Sequence, residues 1–272
     1  MSPAQSSYNI VVLGAGFAGL GFARRFKAKK AADGRPVRIT LIDKQNHHLF
    51  QPLLYQVATA ALAAPEIAEP VRAMFRGRKQ VDVVMDEVKA IDLENKQVRC
   101  CLEAYPFDKL VIALGGYTTY FGNDEWQEYA PGLKNLSDAF RIRQQMLTAF
   151  ERAETVDTDD EKRRLMRTVV VGGGPTGVEL AGAMADLTRR IWAKDFRHID
   201  ITHAQVILVD GGPRLLKAYP PKLSQAALDQ LQEMGVEVRL NTRVVDIQAH
   251  RVWLRDQAGT CLLYTSPSPR DA

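Results

Sequence analysis

The sequence predicts an α/β chain built on two parallel sheets, and three observations carry that expectation. A short apolar run, Ile10 to Leu13, feeds a glycine turn, Gly14-x-Gly16-x-x-Gly19, and then a helix pattern reaching Phe26. The same order returns 158 residues later as Thr168 to Val171, Gly172-Gly-Gly174-Pro-Thr-Gly177 and a helix pattern from Val178 to Arg190. A second apolar run in each half ends in an acid, Asp43 and Asp210. Continuous apolar runs of this length fit strands covered on both faces of a parallel sheet. A glycine turn between such a strand and a helix marks a Rossmann-like dinucleotide-binding domain, so two are expected.

The first turn divides its work among three glycines. Gly14 allows the tight turn, Gly16 lets the backbone approach a pyrophosphate, and Gly19 brings the helix close to its strand. The pyrophosphate belongs at the helix N-terminus, where unpaired N–H groups and the positive end of the dipole point at it. Ala18, Phe22 and Phe26 form the expected buried stripe of that helix. The polar run Lys27 to Pro36 is a loop, and Val37 to Ile42 is the second strand. Asp43 stands 24 residues beyond Gly19, near the spacing of an acid that accepts both ribose hydroxyls.

Asn46 to Ala58 combines His, Gln and Tyr with many apolar residues. It is either a helix start packing into the core after Pro52 or the wall of a flat aromatic ligand site. Val81 to Ile91 and Gln97 to Leu102 read as strands around a turn at Asp92 to Lys96. Leu110 to Leu114 reads as a buried strand ending at Gly115 and Gly116. Residues 117–136 form a crossover, and Ser137 to Ala153 is an amphipathic helix with Ile142, Met146, Phe150 and Ala153 inward. Thr158-x-x-Glu161 resembles a capping box.

In the second half, Leu180, Met184 and Leu187 stripe the helix after the glycine turn. Residues 193–203 are an insertion before the strand Val206 to Val209. Asp210 lies 33 residues past Gly177, a longer spacing than usual, which makes it a weaker ribose candidate than Asp43. An acid there without an adjacent base favours NAD over NADP, and Arg214 tempers the preference. Leu223, Ala227, Leu231 and Met234 stripe a further helix that Gly235 ends, and Val236 to Leu240 and Arg251 to Leu254 are strands.

Composition sets the outer bounds. The chain has 272 residues, 46% hydrophobic and 25% charged, as ordinary globular proteins have. A net charge of +4, with 36 basic and 32 acidic residues and no long basic block, suggests no nucleic-acid partner. Weak attraction to an anionic membrane surface is compatible with it. No apolar run approaches a membrane span, and the N-terminus lacks signal-peptide character, which points to the cytoplasm. Cys100, Cys101 and Cys261 have no zinc-type or dithiol spacing and read as packing or surface residues, with no metal expected.

The two turns, Asp43, the segment His48-Leu-Phe-Gln-Pro-Leu-Leu-Tyr-Gln-Val-Ala58 and Gly173-Gly-Pro-Thr-Gly-Val-Glu-Leu-Ala-Gly182 together resemble type II NADH dehydrogenase. That family comprises single-chain, non-proton-pumping NADH:quinone oxidoreductases of the two-dinucleotide-binding, disulfide-reductase-like fold. Pro131-Gly-Leu-Lys and Asp210-Gly-Gly-Pro-Arg-Leu-Leu are similar as well, and the resemblance covers roughly residues 8–258. It implies that Gly14, Gly16, Gly19 and Asp43 hold the ADP part of FAD, with Phe17, Ala18 and Lys44 beside them. His48, Gln51 and Pro52 would lie near the flavin, Val88 would meet the adenine through its backbone, and Ala113 to Gly116, with Ala113 and Gly115 foremost, would border both nucleotides. Gly172, Gly174, Gly177 and Asp210 would hold NADH, with Pro175 and Thr176 beside it.

The resemblance further implies hydride transfer from NADH to FAD and delivery of two electrons to a quinone. Glu179, read as an acid in the first turn of the second glycine-turn helix, is the proton-donor candidate; a role in complementing the helix dipole is the alternative. The implied partners are NADH, a quinone and, for the full-length protein, the inner face of the cytoplasmic membrane as a peripheral location; a homodimer is compatible. Residues 1–116 are expected to form the amino-terminal part of the FAD domain, and 117–260 an NADH domain inserted into it. Residues 261–272 show no helical or strand period and read as a non-native tail on a chain shorter than the family pattern. Sister flavoenzymes share the glycine turns: sulfide:quinone oxidoreductase, which would want cysteines flanking the flavin, and ferredoxin reductase. A non-catalytic dinucleotide-binding fragment is the third reading.

Overall fold

The structure, a computed structural model, describes residues 7–192 and 195–264. Its elements run β1 (Tyr8–Leu13), α1 (Phe17–Arg25), β2 (Val37–Asp43), β3 (His47–Leu49), α2 (Leu54–Ala58), α3 (Ala64–Ile67), β4 (Ala68–Pro70), α4 (Val71–Met74) and β5 (Val81–Met85). Next come β6 (Val88–Asp92), β7 (Gln97–Cys100), β8 (Ala104–Pro106), β9 (Lys109–Ile112), α5 (Leu136–Thr155), α6 (Asp159–Leu165), β10 (Arg167–Val171) and α7 (Pro175–Asp186). The last are β11 (Gln205–Val209), α8 (Pro221–Glu233), β12 (Glu237–Arg239), β13 (Arg243–Gln248), β14 (Arg251–Arg255) and β15 (Thr260–Tyr264).

The chain divides into two compact units. The first comprises the described residues of Met1–Phe50 and Pro65–Tyr117. Its main sheet is parallel, in the order β5-β2-β1-β9. Val11, Val12 and Leu13 are buried because β1 has a strand on either side and side chains covering both faces. β6, β7 and β8 form a separate antiparallel sheet, and β3 pairs with β4.

Three details depart from the sequence reading. α1 buries Gly19, Leu20 and Ala23, leaves Phe22 and Phe26 partly covered, and exposes Ala18. Gly19 must face the sheet, and that turns the buried stripe away from Ala18. Val81 to Ile91 is two strands in different sheets, with buried Asp86 at the corner between them. The Asp86 Oδ1 accepts hydrogen bonds from the amides of Glu87 (2.7 Å) and Cys101 (3.1 Å), and its Oδ2 accepts from Leu102 (3.1 Å). This carboxylate offers the backbone an alternative to the ladder and ends the strand. β9 is the sheet edge among the described residues, so Ile112 and Leu114 are exposed where a buried strand was expected.

The second unit comprises the described residues of Gln51–Ala64 and Thr118–Ala272. Gln51–Ala64, placed in the first domain by the sequence, therefore packs with the second unit: α2 buries Leu54, Val57 and Ala58 and contacts α5 and α7. α5 buries Ala139, Ile142, Met146, Ala149, Phe150 and Ala153, and a reciprocal capping box of Asn135 and Asp138 opens it. β10-β11-β12 is the parallel sheet, and β13-β14-β15 an antiparallel one. Leu223, expected inward on α8, is exposed, and Ser224 takes the inward place with its hydroxyl accepting from Arg214 at 2.7 Å. The expectation of no strand in 261–272 is corrected for 261–264. There an apolar run follows the turn at Asp256–Gly259 and pairs with β14. Residues 265–272 lie outside the described residues.

Candidate dinucleotide-binding sites

Both glycine turns have the same construction. Gly14 (φ +97°) and Gly172 (φ +107°) occupy the left-handed region that glycine enters without steric cost. A Cβ on Gly14 would also strike the Ala113 carbonyl, which fixes how closely β9 passes the turn. A Cβ on Gly19 would fall on the Gly14 carbonyl oxygen, and one on Gly177 on the Gly172 carbonyl oxygen. These glycines let each helix start against its own turn. Gly16 and Gly174 differ from them. Both are helix N-caps with extended backbone, φ −74° and ψ −169° against φ −78° and ψ 179°. A Cβ on either meets nothing within 4 Å. The space above them is thus open to an anionic group approaching the helix N-terminus. Pro175 follows as the first helical residue, where its missing N–H costs nothing, and Thr176 is exposed beside it.

The acids at the ends of β2 and β11 are placed equivalently. The Ala15 amide donates to Asp43 Oδ2 at 2.6 Å, and the Gly173 amide donates to Asp210 Oδ2 at 2.7 Å. The remaining oxygens accept from Gln45 N at 2.8 Å and from Gly212 N at 2.6 Å. The long insertion before β11 thus does not displace Asp210 from its turn. Its electrostatics do differ. Lys217 Nζ lies 2.9 Å from Asp210 Oδ1, which corrects the expectation that no base stands beside this acid. Arg214, the base considered from sequence, is occupied by the carbonyls of Tyr219 and Lys217 and by Ser224. Burial pushes the Asp210 carboxyl up, but the Lys217 ammonium and the Gly173 and Gly212 amides outweigh it and hold the acid below its ordinary value.

A folded-state value below the unfolded one means that ionised Asp210 stabilises the fold above about pH 4, and that the contribution fades as pH falls through the lowered value. Asp210→Asn is accordingly expected to flatten the acid limb of the stability–pH curve below about pH 4, measured by thermal unfolding at stepped pH. An unchanged acid limb would contradict this placement.

The other expected residues fall into two groups. In the first unit, Phe17 is 54% exposed above the turn and meets His48 edge-on, ring centroids 5.0 Å apart, and Phe50 at 5.6 Å. His48 Nδ1 lies 3.0 Å from the Ala15 carbonyl oxygen. The His47–Phe50 half of the ambiguous segment thus stands beside the glycine turn, and the Leu54–Ala58 half packs into the second unit. Lys44 is exposed next to Asp43, and Gly115 takes φ +73° past the end of β9. Val88 is half-buried at the start of β6, against the cluster of Val11, Leu13 and Ile42. In the second unit, the Gln51 amide donates to the Lys134 carbonyl at 3.4 Å, and Pro52 is exposed. Glu179 is the fifth residue of α7, which starts at Pro175; it therefore stands in the second turn, and no acid lies in the first. Desolvation raises its carboxyl above the ordinary value. The dipole role read from sequence loses its geometric basis, since that effect fades beyond the first turn.

Sequence reasoning missed Lys217 and Asp86. Only a register for the loop after β11 could have indicated the lysine. Among the described residues, no group of His, Cys, Asp and Glu could hold a metal ion, and no helix is long and apolar enough to cross a membrane.

Two units, each with a parallel sheet whose glycine turn is answered by a strand-end acid, define the class as a pair of Rossmann-like nucleotide-binding units. The sequence pattern of the pyridine nucleotide-disulphide oxidoreductase family matches residues 8–261, and the chain belongs to that family. It is 42% identical, over 93% of its length, to the type II NADH:quinone oxidoreductase Ndh of Mycobacterium tuberculosis, covering 54% of that protein. It is 43% identical to NdhA of the same organism, over 93% of this chain and 53% of the relative. The chain thus spans about half the length of the curated relatives it matches. The structure of NDH2 from Plasmodium falciparum in complex with NADH superposes with a TM-score of 0.87 at 23% identity, over 96% of this chain and 54% of that one, a likeness of fold.

Proposed function

We propose that this chain is the dinucleotide-binding portion of an NADH:quinone oxidoreductase that does not pump protons, with FAD as cofactor and NADH as hydride donor. The observation that carries the reading is the duplicated turn: two helix N-caps open to an anion, each with a strand-end carboxylate tied to the turn's own amide. Identity to two type II NADH:quinone oxidoreductases supports this acceptor class over the sister flavoenzymes.

FAD fits the first unit. Gly16 leaves room for a pyrophosphate, and Asp43 keeps free acceptor positions for ribose hydroxyls. Phe17, Ala18, Gly19, Lys44, His48, Val88, Ala113 and Gly115 belong to the same proposed site. When bound, the flavin supplies hydride acceptance and two-electron transfer; the protein supplies placement. Gly172, Gly174, Pro175, Thr176, Gly177 and Asp210 are assigned to NADH. In this reading residues 1–116, less Gln51–Ala64, are the FAD domain and 117–260 the NADH domain, with which Gln51–Ala64 packs. Glu179, whose raised carboxyl holds a proton closer to neutral pH, is assigned to proton delivery. A peripheral place on the inner face of the cell membrane, and a homodimer, are further parts of the proposal for the full-length protein.

The test is to purify the chain with FAD, follow bleaching of the bound flavin by NADH, and then add a soluble quinone. Bleaching and recovery are expected; bleaching without recovery would point to another acceptor, and absence of bound flavin would favour a non-catalytic fragment. In the same assay Glu179→Gln is expected to slow the quinone-driven recovery about a hundredfold without reducing bound flavin. Unchanged recovery would remove Glu179 from the reaction.

A further inference from the structure

The two strand-end acids are not equivalent acceptors, and the difference lies in Lys217. A carboxylate offers roughly four acceptor positions. Asp43 spends one on the Ala15 amide and one on the Gln45 amide, with no salt bridge to a cation among the described residues. The two that remain match the two hydroxyls of an unmodified ribose. Asp210 spends its positions on three donors: Gly173 N, Gly212 N and the Lys217 ammonium. About one position is left, enough for a single hydroxyl.

The lysine is seated rather than merely near. A Cβ on Gly212 would fall on the end of the Lys217 side chain, so the absence of a side chain there makes the room the ammonium occupies. Gly212 has no positive φ, so turn geometry does not require a glycine there. The ammonium keeps access to a ligand, since the Lys217 side chain is 56% exposed while that of Asp210 is only 13% exposed.

An acid at the end of the second strand rejects NADP because a 2′-phosphate is repelled by an unpaired carboxylate. Here the carboxylate is already paired, and the pairing cation is exposed beside the acid that would receive the ribose. We propose that Lys217 is a specificity-determining residue, which weakens discrimination against the 2′-phosphate so that the second site accepts NADPH as well as NADH. This rests on the assignment of the second glycine turn to the nicotinamide dinucleotide.

The test is binding rather than turnover. Dissociation constants of NAD⁺ and NADP⁺ for the purified chain, measured by calorimetry at fixed salt, are expected to lie within about tenfold of each other. Lys217→Ala should weaken NADP⁺ by about tenfold, one charge-assisted hydrogen bond, while the acceptor position it frees on Asp210 favours NAD⁺, so the NADP⁺ to NAD⁺ ratio of dissociation constants should rise by at least about tenfold. Lys217→Arg should retain NADP⁺. Gly212→Ala, which displaces the ammonium but keeps its charge, should shift the ratio in the same direction by a smaller factor. Circular dichroism checks that each variant folds. A NADP⁺ to NAD⁺ ratio unmoved in both Lys217→Ala and Gly212→Ala, with NAD⁺ still bound, would overturn the role of Lys217 alone. Failure of the wild-type chain to bind either dinucleotide would overturn the site assignment, and this inference with it.

Discussion

Alanine at Gly19 is expected to destabilise the first unit by about 1–3 kcal/mol and to abolish FAD retention. The added methyl falls on the Gly14 carbonyl oxygen, which is backbone and cannot swing aside as a side chain could. α1 must then lift from β1, and the N–H groups at its start lose their aim. Gly177→Ala should do the same to the second unit through the Gly172 carbonyl. Thermal unfolding monitored by circular dichroism, with bound flavin read by absorbance, checks both effects. Native stability with full flavin content in Gly19→Ala would show that the helix does not depend on this close approach.

The second large effect is expected at Asp43. Asp43→Ala should lower FAD affinity by at least about a hundredfold, the loss of two hydrogen bonds to a charged acceptor. It also leaves the Ala15 and Gln45 amides without their side-chain acceptor, so the turn itself loosens. Asp210→Ala should cost NADH only about tenfold, because the one acceptor position it leaves free allows a single hydroxyl contact. Equal losses at the two acids, measured by titrating each variant with its own dinucleotide, would contradict the difference assigned to Lys217.

Much of this was legible before the structure. Glycine turns are readable because each glycine answers a local demand, a positive φ at Gly14 or a backbone contact at Gly19, that no other residue meets. The strand-end acids are readable because their register follows from an apolar strand of known direction. Helix faces were less secure. Periodicity turns Leu223 inward on α8, yet Arg214 draws Ser224 inward, a tertiary hydrogen bond invisible to periodicity. The corner at Asp86 and the seat of Lys217 depend on which backbone amides and which glycine lie opposite, facts of three dimensions. The segment after His47 could not be assigned because its two halves serve different units, His48 beside Phe17 and Leu54–Ala58 in the core under α5 and α7.

The central claim is that one chain carries two separate dinucleotide sites, one for each turn. Gly16→Ala and Gly174→Ala test it most directly, since each adds a methyl that meets no protein atom within 4 Å and so intrudes only on ligand space. Calorimetric titration of the wild-type chain should give one FAD and one NADH per chain. Gly16→Ala should lose FAD with NADH binding kept, and Gly174→Ala should lose NADH with FAD kept, both with wild-type unfolding curves. Loss of both ligands in either variant, or of neither, would contradict two independent sites.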